Sequence, residues 1–573
     1  MSSIGRVFLR NKKRMIDNLL VRGRMFAIRH THWRKLVKSA KNPLVTQEKV
    51  LQAILRDNRS TQYGSAHSFD KISSYHQFAQ QVPVVSYETL RPYIEMQLRS
   101  SSPALTAAPP VMYATTSGTT GEPKYVPVIQ EELQQQKRHT ALLTYSQYAF
   151  DPLAFSGKVW VMAAAAVEGR FENGIPWGSA SGFLYASMSP AIAKKYLIPP
   201  EVFAIADNSL KYDLILRLAL CEKNITYFSA ANPTTLLRLC ALANQHGCEL
   251  AEDIEHGRFN RQSELAPEVT RAIREKLRAN PIRAAELRGV FKSGFAVTFS
   301  DLWPYLRIVS IWTGGNCGVA ARSARTLLFA TTQIVELGYL SSEFCGTLTV
   351  DCNVMAGLPT ITNYFYEFIE PEEWDAGNRI FRLVHQLEIG QDYYVVITTP
   401  SGLYRYFIND IVRVEGIFHN TPLIRFVQKG KGVTNITGEK LYESQLVEAL
   451  ALVERHFDLH LNFYLMLADV ERQIYHLYLE VNGMMDGTAG IATYVDKTLA
   501  ELNTEYRTKR ESGRLHPLAI TFLKQGAGEI YRAHCIQSGQ KDGQFKMVTL
   551  QYAHLCPFPF QSHAKSVLKC YEN

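Results

Sequence analysis

The sequence predicts an α/β protein in two unequal parts. The larger, over residues 1–428, combines parallel-rich sheets with an antiparallel sheet or small barrel, and a smaller α+β domain fills residues 433–573. Three observations predict this. A chain of 573 residues, 46 % hydrophobic and 20 % charged, is too long for one ordinary domain and apolar enough for a large core. Apolar runs at residues 158–167, 225–230 and 306–311 alternate with helical patterns, the order that builds parallel sheets. From Thr331 to Glu415 strand follows strand, and beyond it Gln428-Lys429-Gly430-Lys431-Gly432 reads as a hinge at residues 429–432.

Residues 1–41 hold twelve Lys or Arg and one acid, Asp17, a local balance of +11. The whole chain carries +9, which leaves −2 for the rest. The basic excess therefore belongs to the N-terminal segment, and no nucleic-acid partner is expected for the body. A basic helix packed on the body with a solvated charged face is the first reading of this segment. A weak membrane-surface or anionic-partner contact is the second, and an organelle transit peptide the third. No apolar run is long enough to span a bilayer. Nine scattered cysteines without a C-x-x-C pair read as reduced thiols of a cytoplasmic protein without structural zinc. A monomer is the default.

Residues 46–57 form an amphipathic helix with Val50, Leu51, Ile54 and Leu55 on one face. Val82 to Glu95 is an extended run leading into a helix capped near Ser86. Tyr113 to Val128 then reads Y-A-T-T-S-G-T-T-G-E-P-K-Y-V-P-V. Thr115, Thr116, Ser117, Thr119 and Thr120 supply hydroxyls, Gly118 and Gly121 bring backbone N–H groups close to a ligand, and Lys124 adds a positive charge. Such a run can wrap a triphosphate. It is not the usual P-loop, in which Gly-Lys is followed by Ser or Thr, because Lys124 precedes Tyr125. Glu131 to Thr144 reads as a helix. Asn232 caps a helix with Pro233 in its first turn. Trp312-Thr313-Gly314-Gly315 closes the third apolar run, at the strand end where open α/β sheets bind ligands. Beyond the hinge, residues 441–453 read as a helix and residues 461–467 and 474–481 as strands.

The order T-S-G-T-T-G-x-P-K resembles the phosphate loop of the adenylate-forming enzymes. Residues 58–69 and 82–95, N-x-x-T-x-Y-G-x-x-H-x-F and V-P-V-x-x-Y-E-x-x-x-P-Y-I-E, resemble one branch of them. That branch is the Gretchen Hagen family of auxin-responsive acyl-acid amido synthetases. Tyr339-Leu340-Ser341-Ser342-Glu343 resembles its Y-x-S-S-E motif, and Tyr404 to Asp410 resembles the superfamily's Y-R-x-G-D segment. Asn409 stands where glycine is usual, and two extra residues separate Arg405 from Asp410. Arg425 to Lys429, Asn435 to Glu443 and Gly543-Gln544-Phe545-Lys546 resemble the hinge lead-in, the start of the mobile C-terminal domain and a late G-Q-x-K.

The resemblance implies ATP and Mg2+, with a small carboxylic acid and an amine, typically an amino acid, as substrates. It implies acyl-AMP formation followed by transfer to the amine. Thr115 to Lys124 would hold phosphates, and Thr313, Gly314, Gly315 and Tyr339 would meet adenine. Ser342 belongs to the same nucleotide site. Glu343 would bind magnesium, a hard cation content with one carboxylate and phosphate oxygens. Asp410 would hold the ribose hydroxyls, since one carboxylate accepts both hydrogens of a cis-diol. Lys546 would neutralise charge during adenylation, and Gly438 and Glu439 would line a tunnel for the second step. A thioester-forming ligase and a non-catalytic nucleotide-binding or membrane-associated relative are the competing readings.

Overall fold

The computed structural model describes residues 19–100, 102–115, 116, 124–315, 317–430, 432–434, 436, 437, 439, 441–482, 490–511, 513, 515–538 and 547–569. It opens on a helix over residues 19–28 that continues through a π-helical turn, Arg29–Trp33, into Arg34–Ala40. Leu36 and Ala40 pack against Leu348, Leu358 and Leu423 while the basic side chains face solvent. The packed-helix reading of this segment therefore describes residues 19–41. The helix Pro43–Asn58 follows, with Leu51, Ile54 and Leu55 buried as their spacing predicts.

A four-stranded parallel sheet is the centre of the N-terminal part. Its order is Lys158–Val161, Ile225–Ser229, Ile308–Ile311, Gln333–Glu336. Ile225–Ser229 is buried at every position because helices cover both faces, which is why it reads as an unbroken apolar run. The long helix Thr234–His256 crosses back from it. Asn232 Oδ1 accepts the Thr234 N–H at 2.9 Å, and Gly257, at φ +69°, ends the helix in the left-handed region. Trp160, Phe228, Phe299 and Trp303 interlock beneath this sheet.

Two expectations shift in detail. The run at residues 158–167 is a strand only through Val161. Beyond it the backbone lies against the helix Ala180–Ala186, where a Cβ at Gly182 would sit 2.3 Å from the Ala164 carbonyl oxygen. Gln333–Glu336, expected in the antiparallel series, instead pairs in parallel with Ile308–Ile311. The helix Cys317–Thr326 between them supplies the crossover that parallel pairing requires.

The antiparallel expectation holds for a five-stranded sheet in the order Arg382–Leu383, Phe365–Ile369, Asp392–Thr398, Tyr406–Phe418, Thr421–Lys429. A smaller mixed sheet carries the hairpin Pro110–Thr116 and Lys124–Ile129, with Thr116 directly opposite Lys124. After Lys429 comes a separate five-stranded sheet in the order Leu550–Tyr552, His460–Asp469, Ile474–Asn482, Ala519–Leu523, Ala564–Lys569. It has its own core around Leu446, Leu450, Leu477, Leu499 and Phe522. The eight cysteines among the described residues are all outside disulfides.

Candidate active site

Glu336, at the carboxyl end of the last parallel strand, organises the site. Its carboxylate accepts the N–H of Thr313 at 2.8 Å, the Thr313 hydroxyl, and the N–H of Gly338 at 2.9 Å. It therefore fixes the Thr313-Gly314-Gly315 turn and the Gly338-Tyr339 corner relative to each other. Burial pushes its pKa up, and these hydrogen bonds and the charge of Arg425 oppose that rise. The glycines of the turn have a packing reason of their own. A Cβ at Gly314 would lie 2.6 Å from the Phe426 carbonyl oxygen, and Gly315 has φ +57°. The turn is seated directly on the strand Thr421–Lys429.

Tyr339 donates its N–H to the Thr347 hydroxyl oxygen at 2.8 Å and its own hydroxyl to Asp410 Oδ2 at 2.6 Å. Its ring stacks on Phe426 with centroids 5.7 Å apart. Burial and the Asp410 carboxylate hold its pKa well above the phenol range, so the hydroxyl stays a donor. Gly314, Gly338, Tyr339 and Phe426 line one cleft with Trp312 and Met355. Residues predicted from two separate stretches thus border the same space. Asp410 itself is fully buried and meets this space through Tyr339.

The turn after Tyr339 reaches the hairpin Pro110–Thr116 and Lys124–Ile129. Leu340 and Cys345 form a bridge, Ser341 N–H bonds Phe344 O at 3.0 Å, and Ser342 Oγ donates to Thr115 O at 3.0 Å. Glu343 follows Ser342 directly in this turn. It is half-buried, and its charge raises the pKa of Tyr339 and Tyr406 alongside the larger effect of burial. No group of three or more His, Cys, Asp or Glu able to hold a metal occurs among the described residues. A single half-buried carboxylate could serve magnesium only if phosphate and water supplied most of its ligands, and does not fit a metal caged by protein alone.

Thr115 is buried, and its hydroxyl reaches the Gly178 carbonyl at 3.3 Å, so it serves the wall of the loop. Lys124 Nζ lies 5.4 Å from the centroid of the Tyr87 ring, a cation–π contact at the loop's exit. Ser117, Gly118, Thr119, Thr120, Gly121 and Lys546 lie outside the described residues, as do Lys431 and Gly438.

The departures in the Tyr404–Asp410 segment have physical explanations. Asn409 has φ +58°, a conformation that asparagine tolerates where glycine is usual. Arg405 is structural. It pairs with Glu367 at 2.7 Å and donates to the carbonyls of Ala79 at 2.9 Å and Val82 at 2.8 Å. Glu439 is also fully buried, accepting the N–H groups of Ile436 and Thr437 and the Tyr475 hydroxyl, each at 2.8 Å. These bonds staple its own loop. Sequence reasoning missed Glu336. Its signal was an acid closing the apolar run Q-I-V-E, a place where an unpaired charge is costly.

Curated relatives include indole-3-acetic acid-amido synthetase GH3.8 of Oryza sativa subsp. indica, 27 % identical over 544 residues and covering 87 % of each chain. Probable indole-3-acetic acid-amido synthetase GH3.1 of Arabidopsis thaliana is 26 % identical over 546 residues, 90 % of each chain. Among solved structures, a GH3.15 acyl acid amido synthetase superposes with TM-score 0.82 at 24 % identity, covering 94 % of this chain and 97 % of that one. A 2-hydroxyisobutyryl-CoA ligase shares the fold more distantly, with TM-score 0.51 at 12 % identity over 86 % of this chain and 91 % of its own. The models for the GH3 family N-terminal, central and C-terminal domains match residues 32–326, 357–429 and 444–553 in turn, and the chain belongs to the GH3 family.

Proposed function

We propose that this chain is an acyl-acid amido synthetase. A carboxylate oxygen attacks the α-phosphorus of ATP, the bond to the bridging oxygen breaks, and acyl-AMP and pyrophosphate form. The nitrogen of an amine, an amino acid by preference, then attacks the activated carbonyl. AMP leaves and the amine loses a proton. The observation that carries this reading is the network from Thr115 through Ser342 to the Tyr339 corner, and from there to Asp410 and, through Gly338 and Glu336, to Thr313. It ties four separate stretches of sequence to one another beside the cleft that Glu336, Gly338 and Tyr339 line, in a chain whose curated relatives are named as amido synthetases.

The roles follow from charge. The first step brings an anion to a polyanion, so alignment and neutralisation are what the protein must supply. Lys124 and the hydroxyl-rich loop neutralise the phosphates, and magnesium at Glu343 would add to that screening. Tyr339 and Asp410 act together at the nucleoside, with the ribose hydroxyls joining the hydrogen bond the two already share. The 313–315 turn, held by Glu336, forms the opposite edge. Lys546 serves adenylation, and the part of the chain after the hinge at residues 429–432 turns to bring it in and then to admit the amine.

The test begins from acyl-AMP formed on the enzyme with a panel of acids that includes indole-3-acetate. Adding amino acids should yield an amide and AMP. Product formed only with coenzyme A would make the chain a thioester ligase and refute the amide assignment.

A further inference from the structure

The helix that opens the described structure is buried on one face only. Met25, Ile28 and Leu36 are buried, and Val21 packs against the buried cluster that contains Phe155, Val159 and Tyr227. At 100° per residue the side opposite Met25 and Ile28 carries Leu19, Gly23, Phe26 and Ala27, with Leu20 next to them. All five are exposed, Leu19 by 59 %, Leu20 by 67 % and Phe26 by 64 %. The same periodicity sets Arg22 and Arg29 along one margin of this face and Arg24 along the other. A single exposed leucine needs no explanation, but three large apolar side chains framed by arginines on one helix face are the pattern of an interfacial helix.

The charge around the face is of one sign. Residues 18–47 contain seven Lys or Arg and no Asp or Glu, and residues 1–17 add five more against Asp17. Burial raises the pKa of Tyr196 and the charge of Arg24 opposes it, and Lys194 and Lys195 precede that tyrosine in the chain. The remainder of the chain is slightly acidic, so this basic surface is a local feature. A second copy docked face to face would set arginines against arginines. No helix among the described residues is long and apolar enough to cross a bilayer.

We propose that this face docks on an anionic membrane surface. Leu19, Leu20 and Phe26 enter the headgroup boundary, and Arg22, Arg24 and Arg29 reach lipid phosphates, their stems lying along the apolar stripe. The proposal is independent of which acid or amine the enzyme joins.

The experiment is sedimentation of the full-length protein with phosphatidylcholine vesicles, with and without phosphatidylglycerol. Binding is expected only to the anionic vesicles and should weaken as salt is raised. The triple variant Arg22→Gln, Arg24→Gln, Arg29→Gln should lose roughly fivefold in affinity per arginine, on the order of a hundredfold together. Leu20→Ser with Phe26→Ser should lose about tenfold or more, since it removes the buried apolar area. These residues are exposed and none of them lines the cleft, so ATP–pyrophosphate exchange in solution should be unchanged and reports that each variant is folded. Absence of binding, equal binding to neutral vesicles, or variants that bind like the parent would overturn the proposal. So would a dimer that the Leu20→Ser, Phe26→Ser variant dissolves, which would assign the face to a second copy.

Discussion

Replacing Arg405 separates a structural arginine from a substrate-binding one. Its side chain is 4 % exposed and its partner Glu367 is 1 % exposed. Arg405 Nε and Nη2 reach the two Glu367 oxygens at 2.9 and 2.7 Å, and Nη1 ties down the Ala79 and Val82 carbonyls at the end of the helix Tyr75–Gln81. In Arg405→Met the Glu367 carboxylate keeps only the Tyr75 hydroxyl, at 3.0 Å, among these partners. Stranding a buried charge costs about 3–5 kcal/mol, and each carbonyl left without a donor adds about 1 kcal/mol. A loss of roughly 5 kcal/mol is a large share of a native state's stability. It should appear as a fall in the urea midpoint of the transition that carries the N-terminal part. The double variant Arg405→Met, Glu367→Leu should recover at least half of the loss, because no charge is stranded. At low temperature the folded fraction of Arg405→Met should keep its KM for ATP within about twofold. A stability loss under about 1 kcal/mol, or a KM rise of tenfold with stability intact, would refute the structural assignment.

Four further outcomes follow. Asp410→Asn should lower kcat/KM for ATP by roughly ten- to a hundredfold, the worth of a charged hydrogen bond, with Tyr339→Phe weaker in the same direction, measured by exchange kinetics. Gly314→Ala should destabilise by about 1–3 kcal/mol in urea melts, because its Cβ meets the Phe426 carbonyl oxygen at 2.6 Å. Burial pushes the pKa of Glu132 up to about 7 against hydrogen bonds from Tyr364, Gln136 and Ser401. The folded state therefore holds this proton more tightly than the unfolded state, so its contribution is full below the ordinary glutamate range and is lost as pH rises through about 7. Glu132→Gln should flatten that part of the stability–pH profile by up to about 3 kcal/mol. Lys546→Ala should slow adenylation while leaving transfer from preformed acyl-AMP near normal, read by single-turnover quench, and equal slowing of both steps would remove that lysine from its proposed role.

The sequence was most legible where one local cause dominates. The helix Thr234–His256 announces itself through Asn232 and Pro233, and the strand Ile225–Ser229 through continuous apolar residues. Less legible was anything decided by tertiary approach. That Gln333–Glu336 joins the parallel sheet depends on a crossover helix whose packing no periodicity reports. That Glu336 braces two loops depends on turns separated by more than twenty residues in the chain. Thr115 illustrates the limit on single residues. Its type suits phosphate, yet its hydroxyl bonds the Gly178 carbonyl, and only neighbouring strands could reveal that. Asn409 shows the reverse, a departure from the family pattern that a left-handed φ accounts for.

The most direct test is carboxylate-dependent ATP–pyrophosphate exchange on the purified chain with magnesium, across aryl, indole and aliphatic acids. The account predicts exchange with at least one acid class, none without acid, and loss of exchange in Asp410→Ala. Exchange that ignores the acid, or ATP binding with no exchange across the whole panel, would contradict adenylation as the work of this site.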